Sequence, residues 1–132
     1  MFYQLVSSSN EDMLKEAHLA KKIAEDQLVL KISPTEQGFQ IIKQLPPEIP
    51  CCITALYSAA QAVVARESGV RYIAVYVNRS TKFAGRRIIA HYRHGRCVLK
   101  GSQTQILAAS LKSPTEASAA ILSGTGPFNP SI

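Results

Sequence analysis

Apolar residues recur along this chain with the two-residue period of a strand in some stretches and the longer period of an amphipathic helix in others. Phe2 to Val6, built from good strand formers, reads as a first strand. The polar cluster Ser7-Ser8-Ser9-Asn10 stops it and offers N-caps for a helix reaching about Ala24, with Met13, Ala17, Ala20 and Ala24 on one stripe. Leu28 to Ile32 reads as the next strand. Ser33-Pro34-Thr35-Glu36 then has the spacing of a capping box with proline at the first helical position, and Phe39, Ile42 and Leu45 mark the helix it opens. Pro46-Pro47 ends that helix.

The unit recurs. Cys51 to Tyr57 reads as strand, Ser58 to Ser68 as an alanine-rich helix stopped by Gly69, and Tyr72 to Val77 as strand again. Gln105 to Ser110 makes a fifth strand. Ser113-Pro114-Thr115-Glu116 follows it, the same four residues as at Ser33, opening a helix that stops at Gly124. A repeated solution to one capping problem predicts repeated βα units, and hence a parallel sheet with right-handed crossovers. Ile88 and Ile89 hint at a helix within Phe83 to Leu99, diluted by Gly85, Gly95 and arginines. Period and length alone leave a doubly wound sheet and part of a barrel equally open.

At 132 residues and 46% hydrophobic content the chain has the size of one domain with a real core. Residues 1–124 are expected to form it, with 125–132 an irregular tail marked by Gly126, Pro127 and Pro130. The apolar runs are too short to span a bilayer, and no basic residue precedes an apolar stretch near Met1, so a cytoplasmic protein is expected. Cys51, Cys52 and Cys97 form neither a disulfide framework nor a zinc spacing with His18, His91 or His94, and are read as buried thiols.

Charge is unevenly placed. Up to Glu67 eight acids face six bases, and beyond it Glu116 alone faces nine bases. Lys82 to Lys100, with Arg86, Arg87, Arg93 and Arg96, contains no acid and could meet phosphate; a solvated helix and loop is preferred because no nucleic-acid motif or aromatic platform accompanies it.

Lys31 interrupts an apolar strand, and alternation places it with Val29, away from Leu28, Leu30 and Ile32. In isolation it reads as the charge that guards an edge strand. Its surroundings change that reading. Leu28-Val-Leu-Lys-Ile with Thr35 and Gly38, then Ile53-Thr-Ala-Leu-Tyr-Ser-Ala-Ala-Gln61, then Tyr72-Ile-Ala-Val-Tyr-Val-Asn-Arg79, then Ile106-Leu-Ala-Ala-Ser-Leu-Lys-Ser-Pro114 resembles the transaldolase family, nearest to fructose 6-phosphate aldolase.

That resemblance implies an α/β fold, a partial TIM-type (β/α) barrel whose five parallel strands correspond to strands 3 to 7 of the full barrel. It implies a carbon–carbon lyase acting on ketose phosphates or dihydroxyacetone through a Schiff base at Lys31. Gln4 and Thr54 fall where the family holds a catalytic water, Tyr76 at the acid/base tyrosine of its aldolase branch, and Arg79 and Ser110 on its phosphate site. No metal or organic cofactor is implied. The family's first two strands and its eighth have no visible counterpart, so a barrel shortened at both ends is expected, and Ser33 stands where the family has proline. An incomplete barrel wets its inner face, which suggests an inactive remnant of such an aldolase as a second reading; a third, built on Lys82 to Lys100, is a basic polyanion-binding module. Self-association through the unpaired edges is expected to restore part of the enclosure.

Overall fold

The computed structural model of the protein describes residues 1–56, 59–76 and 101–122. The readings made for Lys82 to Lys100, for Phe83 to Leu99, for Arg79, Cys97, His91 and His94, and for the tail from residue 125 lie outside the described residues. Five strands, β1 (Phe2–Gln4), β2 (Val29–Ile32), β3 (Cys51–Leu56), β4 (Tyr72–Tyr76) and β5 (Gln105–Ala109), form one sheet in the order β1-β2-β3-β4-β5. Every neighbouring pair is parallel. Between them run α1 (Asn10–Ala24), a 3-10 turn (Glu25–Gln27), α2 (Glu36–Gln44) and α3 (Ala59–Glu67), and α4 (Pro114–Leu122) follows β5.

Strand order resolves what periodicity left open. A doubly wound sheet reverses its order partway, whereas this one adds each strand beside the last, as a barrel does. Its helices lie on one side. Met13, Ala17 and Ala20 of α1, Ile41 of α2 and Ala65 of α3 pack with Leu30, Ile32, Ile53 and Ile73 in one core. Ala120 of α4 joins Ala108 in a smaller cluster. Leu30, Ile32, Ile41, Ile53 and Ile73 are completely buried, each contributing roughly 1.5–3 kcal/mol of apolar transfer. The opposite face carries Cys52, Ala74, Leu107 and Ala109, with Phe2, Val29, Tyr72 and Tyr76 packed against them.

The sheet is strongly curved toward that second face. Phe2 on β1 and Tyr72 on β4 are separated by two intervening strands, about 14 Å across a flat sheet. Their ring centroids nevertheless stand 5.9 Å apart, edge to face at 61°. Only a sheet rolled into a trough brings those side chains together.

Two sequence expectations are corrected. The strand expected over Phe2 to Val6 stops at Gln4, because the Glu16 carboxylate of α1 accepts the N–H groups of Val6 (3.2 Å) and Ser7 (3.0 Å) and the Tyr3 hydroxyl (2.9 Å). Burial pushes the Glu16 carboxyl up, but those hydrogen bonds outweigh it and hold the group below the usual carboxylate range.

The two Ser-Pro-Thr-Glu segments also cap differently. At the second, Ser113 caps α4 as expected, its Oγ accepting from the Glu116 N–H at 3.1 Å while the Glu116 carboxylate accepts the Lys112 N–H at 2.7 Å. At the first, Thr35 is the cap, its Oγ1 accepting from the Gly38 N–H at 3.0 Å, and α2 begins at Glu36. Gly38 is the cause. A Cβ there would stand 2.2 Å from the Ser33 carbonyl oxygen, so the loop can fold this closely onto the helix only over glycine. Ser118 occupies the equivalent position of the second segment, and its side chain forbids the same approach.

Candidate active site

β2 lies between β1 and β3, so Lys31 guards no edge. Its neighbours in register are Gln4 on one side and Cys52 on the other, and all three project into the trough. Leu28, Leu30 and Ile32 point the other way into the helix-covered core, as alternation required. The Lys31 side chain is half-buried, and among the described residues no acceptor pairs with its Nζ.

Gln4, expected in mid-strand, is the last residue of β1 and so joins the other candidates at the strands' C-terminal ends. Its Nε2 donates to the carbonyls of Lys31 (3.1 Å) and Leu5 (3.2 Å), which fastens it across the top of β2. Thr54 follows Cys52 by two positions on β3 and is 4% exposed, the one buried polar residue among the described ones. Its hydroxyl has no hydrogen-bond partner among the described residues. A buried hydroxyl left unpaired costs about 1–3 kcal/mol, which a hydrogen bond from a ligand, a water or a residue outside the described ones would offset. Immediately after it the β3–β4 register shifts between Ile53 and Leu56, with Ala55 at φ 57°.

Tyr76 closes β4 on the trough face, in register with Ala109. Ser110, directly after β5, is half-buried with φ 59°, a left-handed backbone that turns the chain sharply at the strand end. Gln4, Lys31, Thr54 and Tyr76 therefore share the trough face near one end of the sheet, and Ser110 follows β5 at that same end. Arg79 lies outside the described residues. A hollow of about 900 Å³ opens at the opposite end beside Val29, Cys51 and Thr104, and none of these candidates lines it.

Sequence reading treated Cys52 only as a buried thiol and missed its place beside Lys31. Period two from Thr54 carries that signal. Burial pushes the Cys51 thiol up to about 11 and the Cys52 thiol to about 12, the latter against the pull of the Lys31 ammonium and a backbone hydrogen bond from Ala74. A thiol that holds its proton longer in the folded state stabilises fully below the unfolded value near 9 and loses that contribution as pH rises toward the folded value. Above pH 9 each of these thiols is expected to lower stability by roughly 1.4 kcal/mol per pH unit. Urea midpoints between pH 8 and 10.5 check this: Cys52→Ala should flatten the alkaline decline, and an unchanged slope would contradict the assignment.

Comparison with known proteins bears on the same residues. The profile of the family described as Transaldolase/Fructose-6-phosphate aldolase matches residues 3–125. A probable fructose-6-phosphate aldolase of Streptococcus pneumoniae is 31% identical over 129 residues, 92% of this chain and 55% of that protein. A probable transaldolase of Hydrogenobaculum sp. is 30% identical over 135 residues, 96% of this chain and 60% of that protein. The chain thus spans little more than half the length of these relatives. Among solved structures, a mandelate oxidase superposes with TM-score 0.71 at 12% identity, over 96% of this chain and 47% of its own. A flavocytochrome b2 superposes with TM-score 0.65 at 15% identity, over 96% of this chain and 40% of its own. Identities this low speak to fold alone, and the fold is part of a TIM barrel, matched over about half the length of those chains. With the matched profile covering nearly every residue from β1 to α4, the chain belongs to the transaldolase/fructose-6-phosphate aldolase family.

Proposed function

We propose that the protein is a Schiff-base carbon–carbon lyase whose covalent amine is Lys31. The observation that carries this reading is the placement on the concave face of an interior strand of a lysine with no ion-pair partner among the described residues, in register with Cys52 two positions before the buried Thr54. A lysine in that position has no evident structural task, since it neither guards an edge nor neutralises a carboxylate.

In this reading the Lys31 amine attacks the ketone carbonyl of a ketose phosphate or of dihydroxyacetone, and water leaves as the iminium forms. The iminium then accepts the electron pair released when the adjacent carbon–carbon bond breaks. A base must remove the substrate hydroxyl proton at that moment, and an acid must later return a proton to carbon. Tyr76 handles these protons, through a water held by Thr54 and Gln4. Ser110 and Arg79 hold the phosphate, the guanidinium fork pairing two of its oxygens.

Borohydride reduction in the presence of fructose 6-phosphate or dihydroxyacetone, followed by peptide mass mapping, tests the covalent step. The expected result is one reduced adduct on the peptide containing Lys31. Absence of any adduct, or an adduct on another lysine, would overturn the assignment.

A further inference from the structure

The carbonyl of Lys31 accepts twice. Leu5 N–H donates to it at 3.0 Å and the Gln4 Nε2 at 3.1 Å, so the residues that close β1 fasten the backbone on which the candidate amine stands. The same Nε2 donates to the Leu5 carbonyl at 3.2 Å. Two carbonyl oxygens beside one side-chain amide fix which way it points, because its NH2 group alone can donate to them. Both amide protons are thereby used, and Oε1 is the one polar atom of the Gln4 side chain left uncommitted among the described residues. Gln4 can therefore serve the site as an acceptor and not as a donor.

That orientation depends on where Leu5 holds its carbonyl, and hence on the path of the turn from Leu5 to Ser9. Beyond the buried Leu5 the turn has little packing to hold it, since Val6 is 77% exposed and Ser8 and Ser9 are exposed as well. Polar groups hold it instead. The Glu16 carboxylate of α1 takes the Ser7 N–H on Oε2 at 3.0 Å and the Val6 N–H on Oε1 at 3.2 Å and Oε2 at 3.3 Å. Its Oε1 also accepts the Tyr3 hydroxyl at 2.9 Å. From the other side Gln37 of α2 donates its Nε2 to the Ser8 carbonyl at 2.8 Å.

Tyr3 stands immediately before Gln4, and Val6 and Ser7 shortly after it. One carboxylate thus holds the chain on both sides of the glutamine. Satisfying the N–H groups of an exposed turn does not require this, because water can do the same. A charged acceptor shared by strand and turn instead fixes their relation, with hydrogen bonds about twice as strong as neutral ones.

We propose that Glu16 is a positioning residue of the Lys31 site, gripping β1 and its turn on both sides of Gln4 so that the Gln4 amide stays locked with its oxygen free to accept from a bound water or hydroxyl. Groups that take part in a reaction must sit within about 0.5 Å of their productive places, and a displacement of about 1 Å can cost on the order of 100-fold in rate. The inference rests on the lyase reading and adds to it a residue that touches no substrate.

Amide hydrogen exchange and steady-state kinetics with fructose 6-phosphate, both on the 132-residue protein, test it. Glu16→Ala should speed exchange at Val6 and Ser7 at least about tenfold while β2 and α2 keep the parent's protection. It should also lower kcat about tenfold or more, with KM within about twofold of the parent. Glu16→Gln keeps one acceptor oxygen in place and should recover most of both losses, whereas a carboxylate needed for its charge alone would gain nothing from that variant. Glu11→Ala, which removes an exposed ion pair with Lys15 on the same helix, is the control and should leave both readouts as in the parent. If circular dichroism shows Glu16→Ala unfolded, Tyr3→Phe and Gln37→Ala carry the test, each removing one attachment of the grip. Unchanged exchange, faster exchange with unchanged kcat, or a Glu16→Gln no better than Glu16→Ala would overturn the proposal alone. A parent that neither turns over nor forms the Lys31 adduct would overturn the lyase reading, and the proposal with it.

Discussion

On the proposed Schiff-base reading, Lys31→Met is expected to abolish the borohydride adduct and to reduce lyase turnover below about one-thousandth of the parent, since no other described lysine shares the trough with Thr54 and Tyr76. Stability should move the other way. The substitution replaces an unpaired ammonium, flanked by Cys52 and Val29, with an apolar chain of similar length, and a gain of about 1 kcal/mol is expected. A residue retained for function is recognised by that opposition: removing it improves the fold while ending the chemistry. Kinetics and urea denaturation on the same preparation measure both. Loss of activity together with a fall in stability would place Lys31 among structural residues, and a surviving adduct would place the chemistry elsewhere.

The second large effect concerns the loop that follows Lys31. Gly38→Ala within a helix ordinarily stabilises by about 1 kcal/mol through helix propensity. Here the sign should reverse. The new Cβ would meet the Ser33 carbonyl oxygen at 2.2 Å and Ile32 Cγ2 at 2.9 Å, the first of these a backbone atom that no rotamer change can clear. Relief requires the segment from Ile32 to Thr35 to move away from α2, and a cost of about 1–3 kcal/mol is expected. Because Ile32 adjoins Lys31, the rate of adduct formation should fall as well. Ser118→Ala, at the matching place after the second Ser-Pro-Thr-Glu, is the control and should be neutral or stabilising by about 0.5 kcal/mol. A stabilising Gly38→Ala would show that the close approach at Ser33 is not maintained in solution.

Much of the architecture was legible because local chemistry and tertiary packing agree. The Met13, Ala17, Ala20 stripe is the buried face of α1, and alternation around Lys31 separates the core side from the trough side of β2. The family resemblance, not any local pattern, singled out Gln4, Thr54, Tyr76 and Ser110 as candidates, since their residue types are individually unremarkable in strands. Local signals failed where a distant group competes for the backbone. Nothing in Phe2 to Val6 announces that Glu16, from the following helix, will take the N–H groups of Val6 and Ser7. Two identical tetrapeptides cap two helices differently because a glycine beyond one of them admits a carbonyl that a serine beyond the other excludes.

By itself the sequence determined the repeated βα units, their parallel sense, the buried and trough-facing sides of each strand, and kinship through its motifs. These depend on period, capping chemistry and residue identity, which are local. Tertiary structure alone decided the consecutive strand order, the rolling of the sheet that brings Phe2 against Tyr72, the interior position of β2, and the meeting of Lys31 with Gln4 and Cys52. Those depend on which strands pair and how far the sheet twists. Pairing is fixed by packing among residues far apart in the chain, and no local pattern encodes it.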